Sequence, residues 1–266
     1  MIKQVTSEDV DDIIDFMKYN FDNLSPFIYC NLRFYEGCNE PNYHFYFEKN
    51  QNKYNCFISI YDNTAQIWVG RNPNFNDIRT FLTQNKVNAI FGTESLFDGL
   101  NIHTNVDCGY ILKFDHFTPM DNELPPCYTL SKKINDSNYL EIAQLVFEDS
   151  PLKSVTTIND MASRFKERSN SGYGRNIIVL YEDAVVGHIA TYAETDDVAV
   201  IGGVATSNKH RKKGIATFMI DQMVSNLVKE NKSVYLFCFD DEIIKMYEKH
   251  GFVKEIKWLR TVINNI

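Results

Sequence analysis

The chain has 266 residues, 44% of them hydrophobic and 23% charged, with a formal net charge of −8. That composition is globular, and the length suits one large domain or two small ones. An acidic balance argues against a general nucleic-acid binder, which needs positive surface to displace counterions. It is compatible with a cationic amine substrate, though many proteins carry such charge without using it.

The six cysteines, Cys30, Cys38, Cys56, Cys108, Cys127 and Cys238, form no CxxC pair. No histidines stand at metal-ligand spacing, so no metal is expected. The N-terminal stretch lacks the basic-then-apolar form of a signal peptide, and no apolar run reaches transmembrane length. The expectation is a cytoplasmic protein with reduced thiols and neither a membrane nor a nucleic-acid partner.

Residues 2–6 read as a short strand. Ser7 reads as an N-cap for a helix carrying Val10, Ile13, Ile14 and Met17. Residues 20–50, rich in Asn, Tyr and Phe, show no clear period. Residues 54–61 and 65–70 read as a hairpin across Asp62-Asn63-Thr64. A helix over 75–85, a strand at 87–91, a short helix at Leu96-Phe97 and a strand at 108–114 follow. The stretch 115–126, with three prolines and three acids, reads as a linker. It divides an N-terminal α+β domain, 1–120, from a second domain, 121–266.

In the second half, a strand at 127–134 precedes a helix capped within Asn135-Asp136-Ser137 and carrying Tyr139, Ile142, Leu145 and Val146. A helix at 157–168 follows, then strands at 176–182 and 185–193 joined at Asp183-Ala184. The apolar strand 198–206 runs through a basic turn, Lys209 to Lys213, into a helix that begins at Gly214. That helix shows Ala216, Met219, Met223 and Leu227 on one face. A strand at 233–239, a helix at 241–249 and a strand at 252–262 complete the order. Cys238 lies in the apolar run VYLFCF and reads as a small core residue.

Strand, basic turn and glycine-started helix form a ready anion site, because helix N-termini offer unpaired N–H groups and the positive dipole end. The form Arg211-x-x-Gly214-x-Ala216, preceded by Val204-x-Thr206, resembles the pyrophosphate-binding motif of the GCN5-related N-acetyltransferase (GNAT) family. Ile201-x-x-Val204-x-Thr206 with His210-Arg211-x-Lys213-Gly214-x-Ala216-Thr217 is most similar to its FR47-like branch. Tyr247-Glu248-Lys249-His250-Gly251-Phe252 lies downstream at the family's distance. The element order of 127–266 matches as well. The resemblance implies a GNAT fold, a central, mostly antiparallel mixed sheet flanked by helices. The order of the first half echoes it, as in tandem proteins whose N-terminal half is a degenerate GNAT-like domain; an unrelated α+β domain is the alternative.

By the same resemblance, the chain is an acyltransferase that moves an acetyl group from acetyl-CoA, as cosubstrate, to a primary amine by direct attack in a ternary complex. The backbone of Val204, Ala205 and Thr206 is implied to hold the pantetheine and the acetyl carbonyl. Arg211, Lys212, Lys213, Gly214, Ile215, Ala216 and Thr217 are implied to hold the pyrophosphate, with Arg211 or Lys212 reaching the 3′-phosphate. Tyr247 matches the tyrosine that protonates the leaving thiolate. Strand 198–206 has no acid where many members place a general base. Glu194 is the candidate, with Asp196 and Asp197 as alternatives, and an amine arriving partly deprotonated needs none. Asp240 stands where relatives often have asparagine. His188, in a strand, reads as structural. The partner is a small-molecule or peptide amine, with a homodimer as the candidate assembly. The alternative function is a non-catalytic CoA or acetyl-CoA sensor, or a structural module.

Overall fold

A computed structural model describes residues 1–20, 24–35, 43–61, 63–117, 123–148 and 156–262. In chain order the elements are β1 (Lys3–Gln4), α1 (Val10–Tyr19), α2 (Pro26–Tyr35), β2 (Tyr43–Asn50), β3 (Lys53–Tyr61), β4 (Thr64–Val69), α3 (Phe75–Gln84), β5 (Ala89–Gly92), α4 (Glu94–Gly99) and β6 (Asp107–Phe114). There follow β7 (Thr129–Ser131), α5 (Asp136–Glu148), α6 (Ile158–Ser171), β8 (Asn176–Tyr181), β9 (Ala184–Glu194), β10 (Val198–Thr206), α7 (Ile215–Lys229), β11 (Ser233–Cys238), α8 (Asp241–Lys249) and β12 (Phe252–Val262).

The chain divides into two compact units. The first is Met1–Leu112 with Phe237–Ile244 and Lys254–Ile266; the second is Lys113–Leu236 with Lys245–Val253. The expected cut between 120 and 121 lies outside the described residues. Unlike a single cut, the observed division gives the last strand to the first unit, because β12 pairs antiparallel with β5 from Leu259↔Gly92 to Val262↔Ala89.

The first unit orders its strands β1-β2-β3-β4-β5-β12-β6. β2, β3 and β4 form two antiparallel hairpins, and β4 returns to β5 in parallel by way of α3. Ile58, Ile60, Ile67, Ile78, Leu82 and Ile90 make its core. Helix α1 buries Val10, Ile13, Ile14 and Met17, as their spacing requires. Its N-cap is Asp9, two residues after the expected Ser7, and the Asp9 carboxylate accepts from Thr6 N–H and Oγ1 at 2.9 and 2.7 Å.

The second unit orders its strands β11-β10-β9-β8-β7. β7 to β10 pair antiparallel, and β10 pairs parallel with β11 after the crossover α7. α5 and α6 set Tyr139, Ile142, Met161 and Phe165 against Ile178 and Ala190. Thr157 and Asp160 close the start of α6 with a reciprocal capping box. The β8–β9 turn uses Glu182 (φ 49°) and Asp183 (φ 64°), one residue earlier than expected. Two adjacent left-handed residues match the strand twist at such a turn. Strand β7 covers three residues rather than eight, giving way to exposed Lys132 and Lys133. Each unit is a mostly antiparallel mixed sheet flanked by helices, the expected α+β class.

Candidate active site

The site is built where β10 stops pairing with β11. Their parallel register runs from Val198↔Ser233 to Ile201↔Leu236. On the other side β10 stays with β9 to its end at Thr206↔Gly187. Between Gly202↔Ala190 and Ala205↔His188, three steps along β10 face two along β9, which is a β-bulge. Gly203 carries it at φ 61°, a left-handed conformation that glycine adopts at little cost. A Cβ there would also stand 2.9 Å from the Tyr192 hydroxyl and 3.1 Å from His188. Among the described residues no pairing with β11 is present beyond Ile201, so the half-buried residues Gly202–Thr206 present main-chain N–H and C=O groups on that side. Among the described residues, the buried Thr206 Oγ1 has no hydrogen-bond partner.

The chain then turns through Asn208–His210 into α7. Gly214 is the N-cap at φ 78°, and no side chain caps the helix. Among the described residues, a Cβ at Gly214 would meet nothing within 4 Å, which leaves space before the helix. Lys212 is also left-handed, at φ 60°. Alternating backbone of this kind turns successive N–H groups to one side, where they suit an anion. No acid occupies the first turn of α7, while Arg211, Lys212 and Lys213 are exposed just before it. Arg211 Nε donates to the Thr206 carbonyl at 3.1 Å, tying the loop to the strand end. Ile215 is buried, leaving its main chain for a ligand, while Ala216 and Thr217 are half-buried. The implied phosphate residues therefore come together at one helix start, with Val204, Ala205 and Thr206 immediately before them.

Sequence reasoning missed Tyr128. Its hydroxyl accepts from Lys213 Nζ at 3.1 Å and bonds His210 Nδ1 at 3.0 Å, holding the basic loop from 85 and 82 positions away. Nothing local to Tyr128 announces a pairing at that separation.

Tyr247 lies near the end of α8, 6% exposed, with its ring 5.6 Å from that of Phe252. Gly251 follows at φ 81° and donates its N–H to the Glu248 carbonyl. A Cβ at Gly251 would fall 1.7 Å from the His116 carbonyl, so only glycine fits. His250 Nδ1 meets Asp221 Oδ1 of α7 at 2.8 Å and joins the two helices. Asp240 accepts from the N–H groups of Glu242 and Ile243 at 2.9 and 3.0 Å. A helix start accounts for this carboxylate. Cys238 is buried, and burial raises its thiol pKa, in keeping with a core role.

Glu194 is occupied. It accepts from Arg175 through both carboxylate oxygens, from Lys232 Nζ at 2.8 Å and from Thr191 Oγ1 at 2.9 Å. Arg175 also binds Glu230, which holds the Glu230 carboxyl below its ordinary range. Glu194 stands opposite Ala199. At about 3.3 Å per residue, roughly 17 Å of strand separates Ala199 from Val204. The expected base is therefore an ion-pair partner at the far end of the strand. Asp197 accepts from Thr195 Oγ1 and, through its carbonyl, from Ser233 N–H, which binds it into the turn. A cavity of about 530 Å³ is lined by Lys132, Tyr139, Arg175, Asn176, Glu194 and Asn226, among others, and does not include the β10 bulge. Among the described residues no cluster of three or more His, Cys, Asp or Glu is placed to hold a metal, and no helix is long and apolar enough to cross a membrane.

Residues 139–252 match the Acetyltransferase (GNAT) family. A tandem GNAT protein from the clavulanic acid biosynthesis pathway is similar in structure, with a TM-score of 0.69 and 13% identity over 98% of this chain and 97% of that one. A Drosophila protein aligns with a TM-score of 0.72, at 12% identity over 99% of both chains. A GCN5-related N-acetyltransferase from Sphaerobacter thermophilus gives 0.65, at 15% identity over 100% of this chain and 96% of that one. At these identities the likeness is one of fold, and it extends through the first half. No curated protein matches the chain in sequence. The segment 139–252 is an acyltransferase domain of the GNAT family.

Proposed function

We propose, with a GNAT-family domain as the premise, that this chain is an acetyl-CoA-dependent N-acetyltransferase acting on a primary amine. One observation carries the reading. A bulged strand, parted from its parallel neighbour, leads directly into an uncapped helix whose glycine start faces open space. The residues fit the cosubstrate: main-chain N–H groups and exposed cations for the pyrophosphate, and a strand edge able to pair with a pantetheine amide.

In this reading the N–H groups from Arg211 to Ala216 bind the pyrophosphate, strengthened by the α7 dipole. Val204 and Thr206 align the pantetheine, and a main-chain N–H of the bulge stabilises the charge that develops on the acetyl oxygen. Tyr247 gives its proton to the departing sulfur. Glu194 serves structure, and the amine arrives partly deprotonated.

Calorimetric titration tests the binding step. CoA and acetyl-CoA are expected to bind at micromolar level, and no binding at millimolar ligand overturns the assignment. An amine panel of small amines and peptides, read by thiol release, then finds the acceptor. The engaged state of Glu194 favours one rival, a CoA sensor without turnover. Binding combined with inactivity on every amine would select it.

A further inference from the structure

His188 is completely buried on β9, opposite Ala205 at the bulge. Its Nδ1 lies 2.7 Å from the Gly203 carbonyl oxygen. Its Nε2 lies 2.9 Å from the Asn176 side-chain amide, placed with Oδ1 toward the ring. Phe165 packs edge-on, with centroids 5.0 Å apart. A carbonyl only accepts, so Nδ1 carries the proton and donates. Burial lowers the imidazole pKa to about 4, so near pH 7 the ring is neutral and Nε2 is an acceptor. Asn176 then meets it with Nδ2, the amide turned over. The chain thus holds an Nδ1–H tautomer with both ring nitrogens bonded.

The consequence lies one atom further along the main chain. In a trans peptide the C=O and the next N–H point in opposite directions. β9 lies on one side of β10 and β11 on the other. His188 draws the Gly203 carbonyl toward β9. The N–H of Val204, in the same peptide plane, is thereby turned toward the side from which β11 has parted beyond Ile201. The left-handed Gly203 permits this rotation.

We propose that His188 is a positioning residue for acetyl transfer: by holding the Gly203 carbonyl it aims the Val204 N–H at the thioester oxygen. This rests on the reading of the parted strands as the acetyl-CoA site. In the step it serves, the amine nitrogen forms a bond to the acetyl carbon and the C=O electron pair moves onto oxygen, where Val204 N–H holds it. The pair then returns, the C–S bond breaks with its electrons on sulfur, the nitrogen loses a proton and the sulfur gains one.

Isotope-edited infrared spectroscopy of bound [1-13C]acetyl-CoA reads the aimed N–H directly. In the wild type the thioester carbonyl stretch is expected to fall below that of free acetyl-CoA, and acetyl-CoA to bind more tightly than CoA. His188→Phe should return the stretch to the free value and bring the affinity ratio toward one, while CoA itself binds within about threefold of wild type. His188→Asn, with Nδ2 near the position of the imidazole Nδ1, should restore the lowered stretch. An unshifted stretch in the wild type, or a wild-type stretch in His188→Phe, overturns the proposal. Nitrogen-15 NMR of the wild-type histidine ring needs no variant: an Nε2–H tautomer for His188 overturns it as well. If the wild type binds no CoA at all, the reading of the cleft fails; if it binds CoA but the carbonyl is unshifted, only the role of His188 fails.

Discussion

Two strand–helix–strand crossovers among the described residues share one topology, and they end differently. β4-α3-β5 and β10-α7-β11 each return to a parallel neighbour. At α3 the helix start is closed: Asn74 Oδ1 accepts the Asp77 N–H at 3.2 Å, and the Asp77 carboxylate sits in the first turn. At α7 it is open, with glycine at the cap and cations before it. β3 pairs with β4 from Cys56↔Val69 to Tyr61↔Thr64 without a slip, whereas β9 and β10 slip twice. One fold element thus appears once with its polar groups consumed internally and once with them offered outward. Topology alone places no anion site; the cap residue and the bulge do.

The sharpest way to break this contrast is Gly214→Glu. It sets a carboxylate against the phosphates in the open space before α7, and CoA titration should show no binding at millimolar ligand. The fold should persist, losing only about 1 kcal/mol for a left-handed non-glycine residue. Tyr247→Phe comes next. The helix after β5 carries Phe97 and no tyrosine, so the substitution makes α8 resemble α4 in this respect. Turnover should fall about 10²–10⁴-fold with CoA affinity and melting temperature near wild type. An unchanged turnover would make the phenol idle.

Glu194→Gln separates a structural carboxylate from a base. Removing one charge from the cluster with Arg175 and Lys232 should cost about 3 kcal/mol in chemical denaturation. The surviving folded enzyme should keep its turnover; a turnover loss in fully folded protein would restore Glu194 as base. His188 gives a pH signature. Its folded pKa of about 4 lies below the ordinary 6.5, so the unfolded chain takes up its proton first on acidification. This contribution is complete above pH 6.5 and is lost as the pH falls toward 4, about 3 kcal/mol in all. The stability difference between wild type and His188→Asn should change by that amount across the window, and a constant difference would contradict it. The smallest effect is Asn74→Ala, which opens α3. It should cost about 1 kcal/mol and leave CoA affinity untouched.

Much of this was legible in the chain. The β-branched run into Gly214 marks the strand and helix start, and the glycine of the Tyr247–Phe252 motif, Gly251, stands at a positive φ against the His116 carbonyl. Adjacent Gly202 and Gly203 are the trace of the bulge, but which residues slip depends on the pairing with β9. Glu194 looked available because its cations lie 19 and 38 positions away. Residues 20–50 hid α2 because Ile28, Tyr29, Cys30, Asn31 and Leu32 are all buried, and a helix covered on several faces shows no period.

The pairing of β12 with β5 bears on how the protein is made. Lys257 meets Glu94, and Thr261 Oγ1 donates to the Asn105 carbonyl, across 163 and 156 positions. On the ribosome, β5 emerges long before the strand that will cover its edge. At about 5–20 residues per second, that edge waits roughly 10–30 s. The first unit therefore completes its sheet only after the acyltransferase domain has been synthesised. Its nascent form carries an open strand edge of the kind that pairs with other chains. Closure of that sheet is timed by a strand that follows the second unit in the sequence, which makes the two units together, rather than either alone, the unit of productive synthesis.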